Sequence, residues 1–454
     1  PDAVPELRTI ARHAGTVLVG QLAVMAYGVT DTLVSGRHSE AALAALSVGS
    51  AIYISVYVAL MGILQALLPV WAELHGARNF VAVGRSVRQA LVLCGLSAVA
   101  GMAALLFPDG LMRWTQVPEA MRGEVGQYLA VLALALPPAL LFRMYSTLNQ
   151  ALGKPVLVTW LQAGSLLVKI PLSIWFAFGG WGLEPQGAVG CAWATLVVQY
   201  VLLGFALWML KTQEFYRPFH IWRLPERPDW PQIRGFARLG IPGGLAIMVE
   251  VTSFTLMALF IARLGVAPSA SHQIASNLAA VLYMLPLSLG IATSSRASYW
   301  LGAGQPRKAH AAVTTGLKLT ASAAVGLSSI LWAGRHLLAA AYATQPAVIS
   351  LAASLLAWVA LYHLFDAVQA VCVFVLRCYR VTVAPLVVYS VLLWGVGLGG
   401  GYVLAYHGLA DSDPAPTPVT FWIASTAALA ATAVIFALFL WHALGRRPVK
   451  PHRP

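Results

Sequence analysis

The chain has 454 residues, 59% of them hydrophobic and only 10% charged. A soluble domain carries about 25% charge, so a water-soluble globule is excluded. The net charge of +13 is spread over loops rather than gathered into one stripe, so it is not a nucleic-acid footprint. Apolar runs of about 18 residues or more recur along the whole length, the signature of a polytopic helical membrane protein. No barrel-type alternation is visible.

In chain order the predicted spans lie near 13–35, 45–72, 85–107, 126–150, 155–179, 187–210, 237–264, 272–301, 311–333, 347–376, 383–407 and 418–442. Twelve spans place both termini on one side. The terminal and even-numbered loops then hold twenty Lys and Arg, among them Arg85, Arg88, Lys211, Arg307, Arg447, Lys450 and Arg453. The odd loops hold five, Arg37, Arg113, Arg122, Arg263 and Arg335. This asymmetry predicts cytoplasmic termini and residence in the inner (plasma) membrane.

Residues 1–12 are too short for a domain, and the first apolar run reads as a retained span rather than a cleaved signal. Residues 1–210 are expected to form one six-helix lobe and 237–445 a second. Between them 211–236, rich in Pro, Trp and Arg, reads as a cytoplasmic linker at headgroup level. Residues 446–454 form a basic tail beside anionic lipid. Cys94, Cys191, Cys372 and Cys378 all fall within spans and read as buried free thiols. Arg143, Arg296 and Lys318, in or near spans, read as end-of-helix anchors.

The halves repeat. Ala11-Arg12 aligns with Ala237-Arg238 and Arg37 with Arg263 at an offset of 226, and Gly62 and Gly76 align with Gly290 and Gly304 at 228. Six spans per repeat relate the lobes by a pseudo-two-fold axis along the membrane normal. This is a transporter signature, with the substrate site expected near mid-membrane between the halves.

The stretch Ile241 to Phe260, IPGGLAIMVEVTSFTLMALF, carries one full charge, Glu250, at its centre. A carboxylate at mid-membrane costs about 2.5–3.5 kcal/mol on insertion scales, so it marks a functional site unless it is protonated or paired. Asp31 and Asp366 also lie inside apolar spans. Tyr362 and His363 precede Asp366 by four and three residues, on one helical face. Tyr362 reads either as a π face for a cation or as a packed aromatic. His363 reads as a proton carrier or as a satisfied interior histidine. Gln273 and Asn277, four apart, read as cavity amides or as helix–helix glue. There is no P-loop, HExxH or CxxC, and no catalytic constellation, so neither an enzyme nor a cofactor is expected.

At His272 to Pro306 the chain reads HQIASNLAAVLYMLPLSLGIATSSRASYWLGAGQP. This resembles the eighth-helix region of the multidrug and toxic compound extrusion (MATE) transporters, NorM-like branch. VTDTLVSGR (Val29 to Arg37), NQALGKP (Asn149 to Pro155), GAVGCAWAT (Gly187 to Thr195) and LRCYRVT (Leu376 to Thr382) are similar to that family too. The resemblance implies two six-helix lobes around a central V-shaped cleft, and antiport that exports cationic amphiphilic drugs and dyes against Na⁺ or H⁺. It implies that Glu250 and Asp366 are the cation-site acids, with Na⁺ as the metal they would hold. A monomer in the bilayer is expected. A lipid-linked precursor flippase of the same superfamily is the alternative, and would call for a strongly basic cavity instead.

The resemblance also makes Asp31 the matching cation- or proton-coupling acid of the first half, working there with amide-bearing residues on the fifth span. Here that stretch reads KIPLS, so Lys169 and Ser173 stand there instead. Lys169 either pairs with Asp31 in place of a metal cation or snorkels to the interface. Its position about 15 residues from Pro155 is deep for snorkelling.

Overall fold

The computed structural model describes residues 3–114, 117–408 and 412–446. The basic tail beyond Arg446, with Arg447, Lys450 and Arg453, lies outside the described residues. Lipid offers no hydrogen bonds to a bare backbone, so an apolar segment satisfies its own amides as a helix. Among the described residues twelve helices are long and apolar enough to cross a membrane. In order the elements are α1 (Ala3–His38), α2 (Glu40–Gln65), α3 (Leu68–Gly76), α4 (Phe80–Leu106), α5 (Asp109–Trp114), α6 (Glu119–Ala151), α7 (Val156–Phe178) and α8 (Ala188–Thr212). A 3-10 turn, Glu214–Phe219, precedes α9 (Trp230–Ala262), α10 (Val266–Gly302), α11 (Pro306–Ala333), α12 (Arg335–Tyr342) and α13 (Pro346–Cys378). The eleventh span is composite: α14 (Val383–Tyr389), a π-helical stretch Ser390–Gly399, then α15 (Gly400–Tyr406). The chain closes with α16 (Pro418–Gly445).

Caps fix where these helices start. Ser39 Oγ accepts from the Ala42 amide at 3.0 Å, and Thr417 Oγ1 from Val419 at 3.0 Å, each satisfying a donor the first turn leaves free. Their ends record the internal repeat. After α3, Arg78 is left-handed (φ 57°) and the Asn79 amide reaches back to the Leu74 carbonyl. After α10, Gly304 (φ 75°) and Gln305 repeat this closure onto Trp300. Gly153 with Lys154 after α6, and Arg380 with Val381 after α13, form a second such pair. Each is a Schellman-type closure that satisfies a carbonyl in the last turn. The backbone therefore aligns Gly304 with Arg78 rather than with Gly76, because the left-handed step, not the glycine, is what recurs.

The chain divides into two compact units. One comprises Gly15–Gly244; the other comprises the described residues up to Ala14 together with those from Leu245 onward. The first turns of α1 thus belong with the C-terminal unit, and the N-terminal part of α9 belongs with the other. Glu6 explains the first of these memberships. Arg296 Nε and Nη2 donate to its two carboxylate oxygens at 2.7 and 3.1 Å, the forked geometry of a strong charge-assisted pair. Arg296 is therefore an ion-pair partner and not an end-of-helix anchor. Arg143 departs from that reading too. It is 7% exposed in the second half of α6, and its Nε and Nη2 have no hydrogen-bond partner among the described residues.

The segment after α8 is strapped onto the first unit. Arg88 Nη1 donates to the His220 carbonyl at 2.7 Å, and Arg85 and Arg88 each reach Glu226 at 3.2 Å. Gln89 brackets the strap, donating to the Arg227 carbonyl at 3.2 Å and accepting from the Asp229 amide at 2.9 Å. Tyr216 and Phe219 are buried, and the Tyr216 hydroxyl donates to Asn149 Oδ1 at 2.5 Å. The rings of Phe219 and Phe80 meet edge to face at 5.6 Å. Trp222 and Trp230 are exposed.

The strap passes so close to α4 that a Cβ on Gly84 would overlap the Phe219 carbonyl oxygen. Backbone cannot swing away as a side-chain tip can. Gly84→Ala is expected to lower stability by about 1–3 kcal/mol through overpacking. Gly95→Ala, on the same helix with nothing near its would-be Cβ, is expected to be neutral or stabilising by up to about 1 kcal/mol. Thermal unfolding of the purified variants separates the two.

Candidate cation sites

In the C-terminal unit, α9 carries Glu250 into a small cavity also lined by Ser253, Phe254 and Met257, by Tyr362 of α13, by Leu393 of the π-helical stretch and by Ser425 of α16. Its free space is about 10 Å³, room for roughly one water-sized occupant. Its wall is aromatic: the Tyr362 ring packs on Trp422 at 5.5 Å and on Phe254 at 6.1 Å, both edge to face. Tyr362 is thus both a packed aromatic and a lining residue.

Asp366 is 4% exposed. It lies close enough to Glu250 for its charge to act on that carboxyl. Its Oδ1 accepts from Gln369 Nε2 at 2.8 Å, and the Gln369 carbonyl oxygen accepts from the Tyr389 hydroxyl. Tyr389 therefore fixes which end of the Gln369 amide faces the acid. Tyr389 is the last residue before the π-helical stretch, a wide-turn geometry often found at functional sites. Within that stretch Trp394 Nε1 donates to the Val249 carbonyl at 3.2 Å, one residue before Glu250. The eleventh span thereby braces both acids.

Sequence reasoning missed Gln369, Tyr389 and Trp394. Gln369 was findable, three residues beyond Asp366 on the same face. The two aromatics come from a helix whose register follows an irregular backbone that no periodicity announces. Of the other residues singled out, His363 is 2% exposed and neither ring nitrogen has a hydrogen-bond partner among the described residues, so it is not a satisfied interior histidine. Gln273 and Asn277 are exposed on α10 and do not line the Glu250 cavity. The inward residue there is His272, whose Nδ1 accepts from Trp422 Nε1 at 3.1 Å.

In the other unit, Asp31 on α1 meets Lys169 on α7. The ammonium sits 2.7 Å from Asp31 Oδ1, with the lysine side chain 0% exposed and the aspartate 14%. Burial at this depth is the opposite of snorkelling. Lys169 Nζ also donates to Thr195 Oγ1 at 2.8 Å and to the Cys191 carbonyl at 3.2 Å, both on α8. Ser173, one turn along α7, is fully buried. All four cysteines are free and buried. Among the described residues no three His, Cys, Asp or Glu side chains cluster as a soft-metal site would require.

Removing one member of a buried ion pair strands the other, at about 3–5 kcal/mol. Lys169→Ala is expected to cost about that much, and Asp31→Asn combined with Lys169→Asn to recover most of it. A double-mutant cycle on thermal stability measures the coupling; additive effects would dissolve the pair. Gln369→Leu is expected to leave folding nearly intact while loosening Asp366, read as a changed cation dependence of that unit's stability.

Twelve apolar helices among the described residues, with acids inside the spans and one of them, Asp366, buried, make this a multi-pass membrane protein with the layout of a transporter. The MatE family model matches residues 17–175 and again 242–403, once in each half. A probable multidrug resistance protein NorM from Aromatoleum aromaticum is 38% identical over 96% of this chain and 94% of its own length. The multidrug resistance protein PmpM of Pseudomonas aeruginosa is 32% identical over 98% and 93%. Among solved structures, the eukaryotic MATE transporter AtDTX14 superposes with a TM-score of 0.87 at 19% identity, covering 97% of this chain and 96% of that one. The Vibrio cholerae MATE transporter VcmN in the bent form gives 0.81 at 15% identity, covering 97% and 98%. The chain belongs to the MATE family. It is a multi-pass membrane transporter and not an enzyme.

Proposed function

We propose that this protein is a multidrug efflux transporter of the bacterial inner membrane, exporting cationic amphiphilic compounds in exchange for Na⁺ or H⁺. The observation that carries this reading is the Glu250–Asp366 pair. Two carboxylates near each other in an apolar setting oppose each other's ionisation, so a proton or a cation must join them. Tyr362, with its π face in the same aromatic wall, suits an organic cation. The full-length likeness to proteins named for multidrug resistance supports the substrate class. On this reading Glu250 and Asp366 hold the coupling ion, and Tyr362 contacts the drug.

Uptake of ethidium into inverted vesicles, with and without an imposed Na⁺ or H⁺ gradient, is the direct test. Dye accumulation driven by one gradient is expected, and its absence under both would overturn the reading and leave the flippase alternative standing. Glu250→Gln is expected to reduce host resistance to the vector level at equal expression. Asp366→Asn is expected to weaken ion-stimulated release, and Tyr362→Ala to weaken dye affinity. Both are read on the purified variants.

A further inference from the structure

Lys169 is coordinated as an ion would be. Its ammonium has three N–H donors and no acceptor, and three oxygens lie within hydrogen-bonding distance: Asp31 Oδ1 at 2.7 Å, Thr195 Oγ1 at 2.8 Å and the Cys191 carbonyl at 3.2 Å. The donor and acceptor polarity is consistent around the ring. Thr195 spends its own proton on the Cys191 carbonyl at 3.1 Å, which leaves its lone pairs to the lysine. The side chain is completely buried, so no water completes the shell from outside. Ser173 Oγ, buried beside Asp31, forms no hydrogen bond of good geometry among the described residues and is a spare oxygen at the same place. The cradle thus has one carboxylate, one carbonyl and two hydroxyls. Those are hard oxygen ligands, the kind a small unpolarisable cation takes.

We infer that Lys169 is the resident cation of the Asp31 site, and that this one residue makes the site unresponsive to external cations. A tethered ammonium does not dissociate, so Asp31 neither takes up a coupling ion nor exchanges one for an organic cation. Ion selectivity and exchange then rest on the Glu250–Asp366 unit alone. The inference builds on the coupling role proposed for that pair, and it assigns Lys169 as a specificity-determining residue through the position it occupies.

The test is run with Glu250→Gln and Asp366→Asn already in place, which silences the other unit. Full-length protein is purified in detergent, and its unfolding temperature is followed as NaCl replaces choline chloride at constant ionic strength. The background protein is expected to show no Na⁺-dependent shift. Adding Lys169→Asn vacates the ammonium while keeping a neutral oxygen ligand, and a Na⁺-dependent rise on the order of a few °C is expected from binding to the native state alone. Adding Asp31→Asn as well should abolish that rise. A Lys169→Asn protein that elutes as a folded monodisperse species without any Na⁺ shift would overturn the inference. So would a Na⁺ shift in the background protein that Asp31→Asn removes. If Lys169→Asn does not fold, Lys169→Gln carries the same reading, with the same outcomes expected and overturning. Failure of the coupling role shows elsewhere, as a wild-type protein in which neither ion drives transport, so the two outcomes are distinguishable.

Discussion

A charge inside an apolar span needs a counter-charge, a proton or a ligand, because lipid and packed side chains cannot solvate it. The rest of this structure is arranged around that need. One unit meets it with an ammonium tethered to its own chain, Lys169 held 2.7 Å from Asp31 and its other donors occupied by α8. The other brings two acids near each other, Glu250 and Asp366, and no lysine or arginine is among the described residues that line the Glu250 cavity. The first arrangement is closed on itself. The second has no such internal cation, which is why the proposed coupling role falls on it.

The two units share a backbone plan and differ in chemistry. The same left-handed closures recur at Arg78 and Gly304 and at Gly153 and Arg380. Those positions set helix lengths and turn geometry, which a duplicated scaffold must keep. Side chains within the spans are free to diverge once the scaffold holds. Bracing diverges as well. The N-terminal unit is clamped by the segment after α8, through Arg88, Gln89 and Tyr216. The C-terminal unit is braced by the π-helical stretch, through Tyr389 and Trp394. A linker that composition alone assigns to the headgroup region is in fact folded onto protein. Its aromatic residues are split, with Tyr216 and Phe219 buried and Trp222 and Trp230 exposed.

The amino-acid sequence by itself determined the twelve spans, the all-helical class, the repeat and which acids fall within the spans. Each of these follows from local rules: the length of an apolar run, the cost of a charge within it, and the 3.6-residue face shared by Tyr362 and Asp366. Even the Lys169–Asp31 choice was narrowed to two outcomes by depth along a helix. Tertiary structure alone decided between those outcomes, since whether an ammonium meets a carboxylate depends on how α1, α7 and α8 pack. It also decided that Arg296 pairs with Glu6, that Arg143 is buried with no partner for Nε and Nη2 among the described residues, and that Tyr389 orients Gln369 toward Asp366. These contacts join residues far apart in the chain, and one of them depends on where a helix widens to π geometry. Periodicity reports which face a residue is on, but only packing reports what that face meets.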